Sequence, residues 1–146
     1  MATSGFLRRL LVGSGKYVGG FPDGLWEWRY KKTTLKCSYE AGVVEGACMM
    51  LVDGRMTEWG QYASGLRHGL QVEFVAEGDR VVQSWQEGQL EGKRMEYEEG
   101  MLRQVESYRA GTLHGLYVEY DKDGEIVTKG EYLDGERVGD WYKREK

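Results

Sequence analysis

The sequence predicts an all-β protein, an elongated single-layer antiparallel meander of stacked β-hairpin repeats, about six of them. Three observations predict it. An aromatic anchor recurs at Tyr17, Tyr39, Tyr62, Trp85, Tyr108 and Tyr132, in steps of 22, 23, 23, 23 and 24 residues. Glycine follows every anchor at +3 and +7, giving Gly20 and Gly24, Gly42 and Gly46, Gly65 and Gly69, Gly88 and Gly92, Gly111 and Gly115, and Gly135 and Gly139. Between the glycines, apolar and polar residues alternate. A fixed period in the twenties marks a repeat architecture, so the fold is a question about one unit.

Each unit reads as two strands and two tight turns. A third glycine slot, 15 or 16 residues after the anchor, adds Gly54, Gly78, Gly100 and Gly124, each preceded by an acid (Asp53, Glu77, Glu99, Asp123). Glycine tolerates positive φ, and Asp53-Gly54, Asp123-Gly124 and Asp134-Gly135 are short hairpin-turn signals. Leu70, Val72 and Phe74 alternate with Gln71 and Glu73, and Met95 and Tyr97 with Arg94 and Glu96. That is the period of a half-buried strand. Glycine at this density costs a helix about 1 kcal/mol per residue. The expectation is about twelve strands of near eight residues, paired in chain order.

The motif Tyr-x-x-Gly-x-x-x-Gly followed by an aromatic or apolar residue, as in Tyr132 to Tyr142, resembles the MORN (membrane occupation and recognition nexus) repeat. It is more closely similar to the bacterial variant of the YwqK-family predicted antitoxins. The likeness covers about residues 15 to 142 and implies a binding surface rather than a reaction, because MORN arrays occur in scaffolds, in lipid-associated proteins and beside enzymatic domains.

At 146 residues, 40% hydrophobic and 30% charged, the chain fits one all-β domain. Residues 1–14 read as an N-terminal extension or edge strand and residues 15–146 as the repeat array, with repeats starting near 17, 39, 62, 85, 108 and 132. Phe6 to Val12 carry two arginines and precede any acid, which invites a targeting reading. The arginines interrupt too short an apolar run for a secretory signal, and a mitochondrial presequence is the minor reading. The main one is an edge strand blunted by charge, since Gly15-Lys16-Tyr17 repeats Gly60-Gln61-Tyr62 and Gly130-Glu131-Tyr132. No apolar run approaches the length of a membrane span. Cys37 and Cys48 lie on neighbouring strands, where a disulfide is conceivable. Two free thiols in a reducing compartment is the expectation, and their spacing fits no zinc site.

Repeat one departs from the rest. Trp26, Trp28 and Tyr30 stand in the alternate phase to Leu70, Val72 and Phe74, as after a one-residue slip. Either a bulge returns them to the common face or this end carries an aromatic patch. With Arg29, Lys31 and Lys32 beside them, such a patch suits a partner or a lipid headgroup, since tryptophan and arginine are enriched at interface hot spots. The alternative is that the rings seal the end of the array. Charge follows the same asymmetry: residues 1–40 carry a net +4 and residues 41–146 a net −8. The polarity favours head-to-tail association or an acidic partner at the first repeats. A net acidic chain without a basic stripe argues against nucleic acid.

No catalytic residue, metal site or cofactor site emerges. His68 and His114 both sit at +6 from an anchor, a slot that Glu45, Glu91 and Val138 fill elsewhere, and a slot tolerating valine is a poor ligand site. The carboxylates fall mostly at turns and the glycines open strands, so they form no phosphate cradle. One sheet face, carrying Ala47, Met49, Leu51, Leu70, Val72, Phe74, Met95, Tyr97, Leu116, Val118 and Tyr120, lacks any helix to cover it. An open apolar face marks an association site. The expected function is a non-enzymatic scaffold binding a protein partner or itself through this face or the Trp26/Trp28/Tyr30 end. An antitoxin neutralising a partner toxin is what the resemblance adds, and a peripheral phospholipid adaptor is the reading of the basic aromatic end. The expected compartment is the cytoplasm, peripheral to a membrane in the last case.

Overall fold

The structure, a computed structural model, describes residues 12–145. Over these residues the chain forms thirteen antiparallel strands and no helix, hydrogen-bonded in chain order except that Thr112–Leu113 pairs only with the strand before it, which also pairs with the strand after it. It divides after Gly69 into two compact units. The described part of unit 1 holds β1 (Val12–Val18), β2 (Phe21–Tyr30), β3 (Thr33–Glu40), β4 (Val43–Val52), β5 (Arg55–Ala63) and the start of β6 (Leu66–Ala76). Unit 2 holds the rest of β6, then β7 (Asp79–Gln86), β8 (Gln89–Glu98), β9 (Met101–Arg109), β10 (Thr112–Leu113), β11 (Gly115–Tyr120), β12 (Ile126–Leu133) and β13 (Glu136–Lys143). The expected all-β meander of hairpins is therefore what the chain forms. The strand count exceeds the expected twelve because β10 and β11 are separated at His114, whose N–H turns to the Ser107 carbonyl at 2.8 Å. Of the N-terminal extension, residues 1–11 lie outside the described residues, and β1 pairs with β2.

The repeat hairpin is built by its two glycines. The +3 glycine and the residue before it both have positive φ, as at Ala41 (46°) and Gly42 (84°), the geometry of a two-residue turn whose twist matches its strands. The +7 glycine lies at φ 91° in Gly46 and 90° in Gly92. There the outgoing strand takes two more residues than its partner: Tyr39 pairs with Val44 but Cys37 with Cys48, and Trp85 pairs with Leu90 but Gln83 with Arg94. An offset of two keeps every side chain on its own face, which an offset of one would not.

The unequal steps come from the connecting hairpins. From Gly24–Tyr39 to Tyr30–Thr33 the ladder is flush, and the step is 22. Between Met50–Glu58 and Leu51–Met56, and between Glu96–Gln104 and Tyr97–Leu102, the register slips by one residue, and the step is 23. The last step, 24, adds a longer loop to the same slip, closed where Asp121 N–H donates to the Glu125 carbonyl at 2.9 Å. Because the β2–β3 ladder carries no slip, no bulge moves Trp26 and Trp28, and they share the face of Cys37 and Leu35.

Successive turns are tied together twice. The +3 glycine N–H donates to a carbonyl of the preceding repeat: Gly42 to Pro22, Gly65 to Val44, Gly111 to Leu90 and Gly135 to Leu113, at 2.8–2.9 Å. The +6 side chain then accepts from the next turn's leading N–H: Glu45 from Ser64 (2.7 Å), Glu91 from Ala110 (2.7 Å), Asp23 from Ala41 (3.4 Å) and His114 from Asp134 (3.3 Å). These bonds answer the demand of turn N–H groups for acceptors.

In unit 1 the packed face is the one bearing the anchors. Trp26, Cys37, Cys48 and Tyr62 are buried there, with Leu35, Tyr39 and Val44 against the last three. Ala47, Met49 and Leu51, expected on the apolar face, lie on the other side, opposite Gln61, Lys36 and Thr34. The expectation of two free thiols is overturned. Cys37 and Cys48 are directly opposed with Cα atoms 4.1 Å apart and form a disulfide, since a close cross-strand pair brings the two sulfurs together. In unit 2, Val82, Met95, Val105 and Val118 form a paired row across β7, β8, β9 and β11, and Val105 and Val118 are buried.

Three glycines make room for indoles. A Cβ on Gly13 would lie 2.3 Å from Trp28, one on Gly15 2.5 Å from Trp26, and one on Gly130 2.2 Å from Trp141. Gly130→Ala is expected to cost about 1–3 kcal/mol by overpacking and to shift the tryptophan emission. Gly111→Ala, with open space around it but φ at 80°, is expected to cost about 1–2 kcal/mol with the emission unchanged. Urea unfolding followed by fluorescence checks both. Reducing the disulfide, which closes a separation of 11 residues, should cost roughly 2–3 kcal/mol in the same assay.

Candidate functional site

The aromatic end of unit 1 is an interior. Trp26 is 2% exposed, stacks on Trp28 at 5.1 Å, meets Tyr17 edge-on at 4.6 Å and donates its indole N–H to the Lys16 carbonyl at 2.9 Å. Trp28 is half-buried and donates to the Tyr39 hydroxyl at 3.2 Å. Tyr30 is half-buried with the Lys31 ammonium 5.3 Å from its ring centre. The cations beside it have acids of their own: Arg29 and Lys36 both pair with Glu27, and Lys32 with Asp53 at 3.7 Å. The bond from Arg29 holds the Glu27 carboxyl below its ordinary value. Trp26 therefore leaves the expected binding surface, and the basic cluster is largely matched by acids.

The expected surface residues of unit 2 divide. Leu70 and Phe74 on β6 and Leu116 on β11 are exposed, whereas Val72, Met95, Tyr97 and Tyr120 are half-buried and Val118 is buried. Arg80 lies over the Tyr97 ring at 4.0 Å. Of the expected turn residues, Gly20, Gly65, Gly88 and Gly135 take positive φ in their turns, as do Gly24, Gly69, Gly115 and Gly139 in the +7 slot.

The other face of unit 2 carries a polar ladder that the alternation did not reveal. Arg94 bonds Glu96 at 2.6 Å and Glu106 at 3.1 Å, while Glu106 also accepts from Gln104 (2.8 Å) and the Tyr108 hydroxyl (3.0 Å). Tyr117 donates to Glu119 at 2.6 Å, and its ring packs with Tyr132 and Trp141. Burial, then the bond to Glu119, raises the Tyr117 hydroxyl well above the ordinary tyrosine range, and burial followed by Glu106 raises Tyr108. Glu119 is lowered by the Thr128 hydroxyl first and Tyr117 second. These are carboxylates held by donors in fixed geometry, which stiffens the face. Among the described residues no three His, Cys, Asp or Glu side chains lie close enough to hold a metal ion.

Sequence reasoning missed an exposed stripe in unit 1. Phe21 (58% exposed), Val43 (45%) and Leu66 (50%) occupy the slot directly after the +3 glycine, and Val18 pairs with Phe21. The slot is contiguous: a Cβ on Gly42 would meet Phe21 at 2.9 Å and one on Gly65 would meet Val43 at 3.6 Å. The signal was present, because the same slot holds Gln89, Thr112 and Glu136 in the later repeats. An apolar set limited to three repeats is a surface choice, where a set present in all six would be a core requirement.

No family model matches the chain, and no curated protein matches it. No helix of the described residues is long and apolar enough to cross a membrane.

The ionisable groups set a pH window. Glu27, Glu119 and Asp121 are lowered in the fold, so their stabilisation is full above the unfolded carboxylate values near ~4 and is lost as pH falls through the lowered native ones. Tyr108 and Tyr117 are raised, so theirs is full below the unfolded tyrosine value of about 10 and is lost as pH climbs past it. Urea midpoints should drop below the acid limit and above the alkaline one. Glu119→Gln should shallow the acid limb.

Proposed function

We propose that the chain is a non-enzymatic repeat scaffold that binds a protein partner, in keeping with its resemblance to MORN arrays. The observation that carries this reading is the stripe of Val18, Phe21, Val43 and Leu66. These are large apolar side chains held in line on a backbone that the turn bonds make rigid. Exposed apolar area of this kind is favourable to cover, at about 25 cal/mol for each Å² removed from water. A row with fixed spacing also presents a pattern that a partner strand or helix can match. The phospholipid reading has less support, since Trp26 is buried and Arg29 and Lys32 are engaged with acids. A toxin partner is one case of protein binding and is recognised by its identity once captured.

The double variant Val43→Asp/Leu66→Asp tests the stripe. Both residues are exposed, so the fold should be retained. Affinity capture from the source cell, with mass spectrometry, should return at least one protein with the native chain that the variant fails to retain. Equal recovery by both would remove the stripe as the binding surface.

A further inference from the structure

We propose that the outer edge of β13 receives the outer edge of β1 of a second copy, head to tail, in the register that joins repeats within the chain. That register is repeated at the junctions Gly24–Tyr39, Gly46–Tyr62, Gly92–Tyr108 and Gly115–Tyr132, a +7 glycine opposite the next anchor each time. β13, the last of the described strands, carries its own +7 glycine, Gly139, and β1, the first of them, carries the anchor Tyr17. Opposing Gly139 to Tyr17 of a second copy sets Trp141 against Gly15 and Asp140 against Lys16.

Both matches have chemistry behind them. Two residues beyond the junction, the inner pairs are Trp26–Cys37, Cys48–Gly60, Arg94–Glu106 and Tyr117–Gly130. Trp26–Cys37 and Tyr117–Gly130 set a large residue against a small one, Arg94–Glu106 sets opposite charges together, and Cys48–Gly60 joins two small residues. Gly130 is buried, with Tyr117 paired across from it on one strand and Trp141 lying over it from the next. Gly15 has Trp26 over it and is exposed. Trp141 of a second copy sets a second ring over Gly15, which repeats the arrangement at Gly130. On the opposite face Lys16 and Asp140 are both exposed, and Asp140 lines an open groove of about 340 Å³ with Leu116, Val138 and Tyr142. Directly opposed unlike charges stabilise a strand pair, and like charges disfavour it. An unrelated strand would have to match ring, glycine and charge at once, which this chain's own edge already does.

The junction lacks one bond found inside the chain. Val138 gives the neighbouring turn no acceptor, where Asp23, Glu45, Glu91 and His114 do. Assembly is thus reversible and weaker than the inner junctions, and it is heterologous, each copy using different edges.

Sedimentation velocity on the full chain, across a concentration series at low salt, tests this. The native chain should show a sedimentation coefficient that rises with concentration and falls with added salt. Lys16→Glu and Asp140→Lys should each weaken association roughly three- to tenfold. Their equimolar mixture, and the double variant, should recover it, because unlike charges then meet at every junction. A native chain that stays monomeric throughout overturns the proposal. So does association that the single variants leave unchanged, or that neither the mixture nor the double variant restores. The stripe substitutions should leave self-association intact, so this proposal and the scaffold reading fail separately.

Discussion

A sheet face with no layer stacked on it has to bury apolar area within its own surface, strand against strand. That constraint governs the side chains of both units. A residue on one strand can be covered only by what stands opposite or beside it, so coverage needs a large group next to a small one, or a bonded pair. Unit 1 uses both: Trp26 and Trp28 lie over Gly15 and Gly13, and Cys37 is joined to Cys48. Unit 2 stacks Val105 on Val118 on one face and holds the other with Arg94, Glu106 and Tyr108 in one bonded set. Half-buried carboxylates are tolerable there because each has donors in hand.

The turns supply what the thin core does not. At Gly42, Gly65, Gly111 and Gly135 a repeat is fastened to the previous one by a glycine N–H on a carbonyl, and in four cases a +6 side chain accepts from the leading N–H. Stability in such an array is a sum of repeat and neighbour contributions. A rigid turn edge has a functional side. The residue after each +3 glycine is displayed in a fixed place without being needed for packing, so its identity is free to vary, apolar at Phe21, Val43 and Leu66 and polar at Gln89, Thr112 and Glu136. Recognition can be written there at little cost to the fold.

The repeat, the hairpins and the glycine turns were legible because they are local: positive φ and alternation depend on a few neighbouring residues. Which face is packed was not, since alternation yields two faces and does not say which one carries the core. Leu70, Val72 and Phe74 suggested one answer, while the unit 1 core formed around Trp26, Cys37 and Tyr62 on the anchor side. The disulfide was ambiguous for a similar reason. Neighbouring strands place two cysteines close, but only the two-residue offset at Gly46 brings Cys37 opposite Cys48 and not one pair away. The role of the +6 slot was not legible either: aspartate, glutamate and histidine share no single catalytic role, yet all three accept a hydrogen bond, and a backbone N–H is what they meet.

The two slots filled by tryptophan two residues beyond a +7 glycine, Trp26 and Trp141, belong to the first and last repeats, while Cys48, Gln71, Arg94 and Tyr117 fill it between them. Inner positions have strands on both sides and can be completed by a disulfide or an ion pair. Trp141 stands on β13, the last described strand, and an ion pair exposed to water there contributes only about 0–1 kcal/mol, whereas Trp26 lies between β1 and β3. A large ring over a glycine still excludes water from its own repeat, with a burial gain of at least about 1.5–3 kcal/mol for a large apolar side chain. Gly15 on β1 and Trp141 on β13 can each serve as half of a further ring-and-glycine contact, the one that the proposed head-to-tail pairing completes.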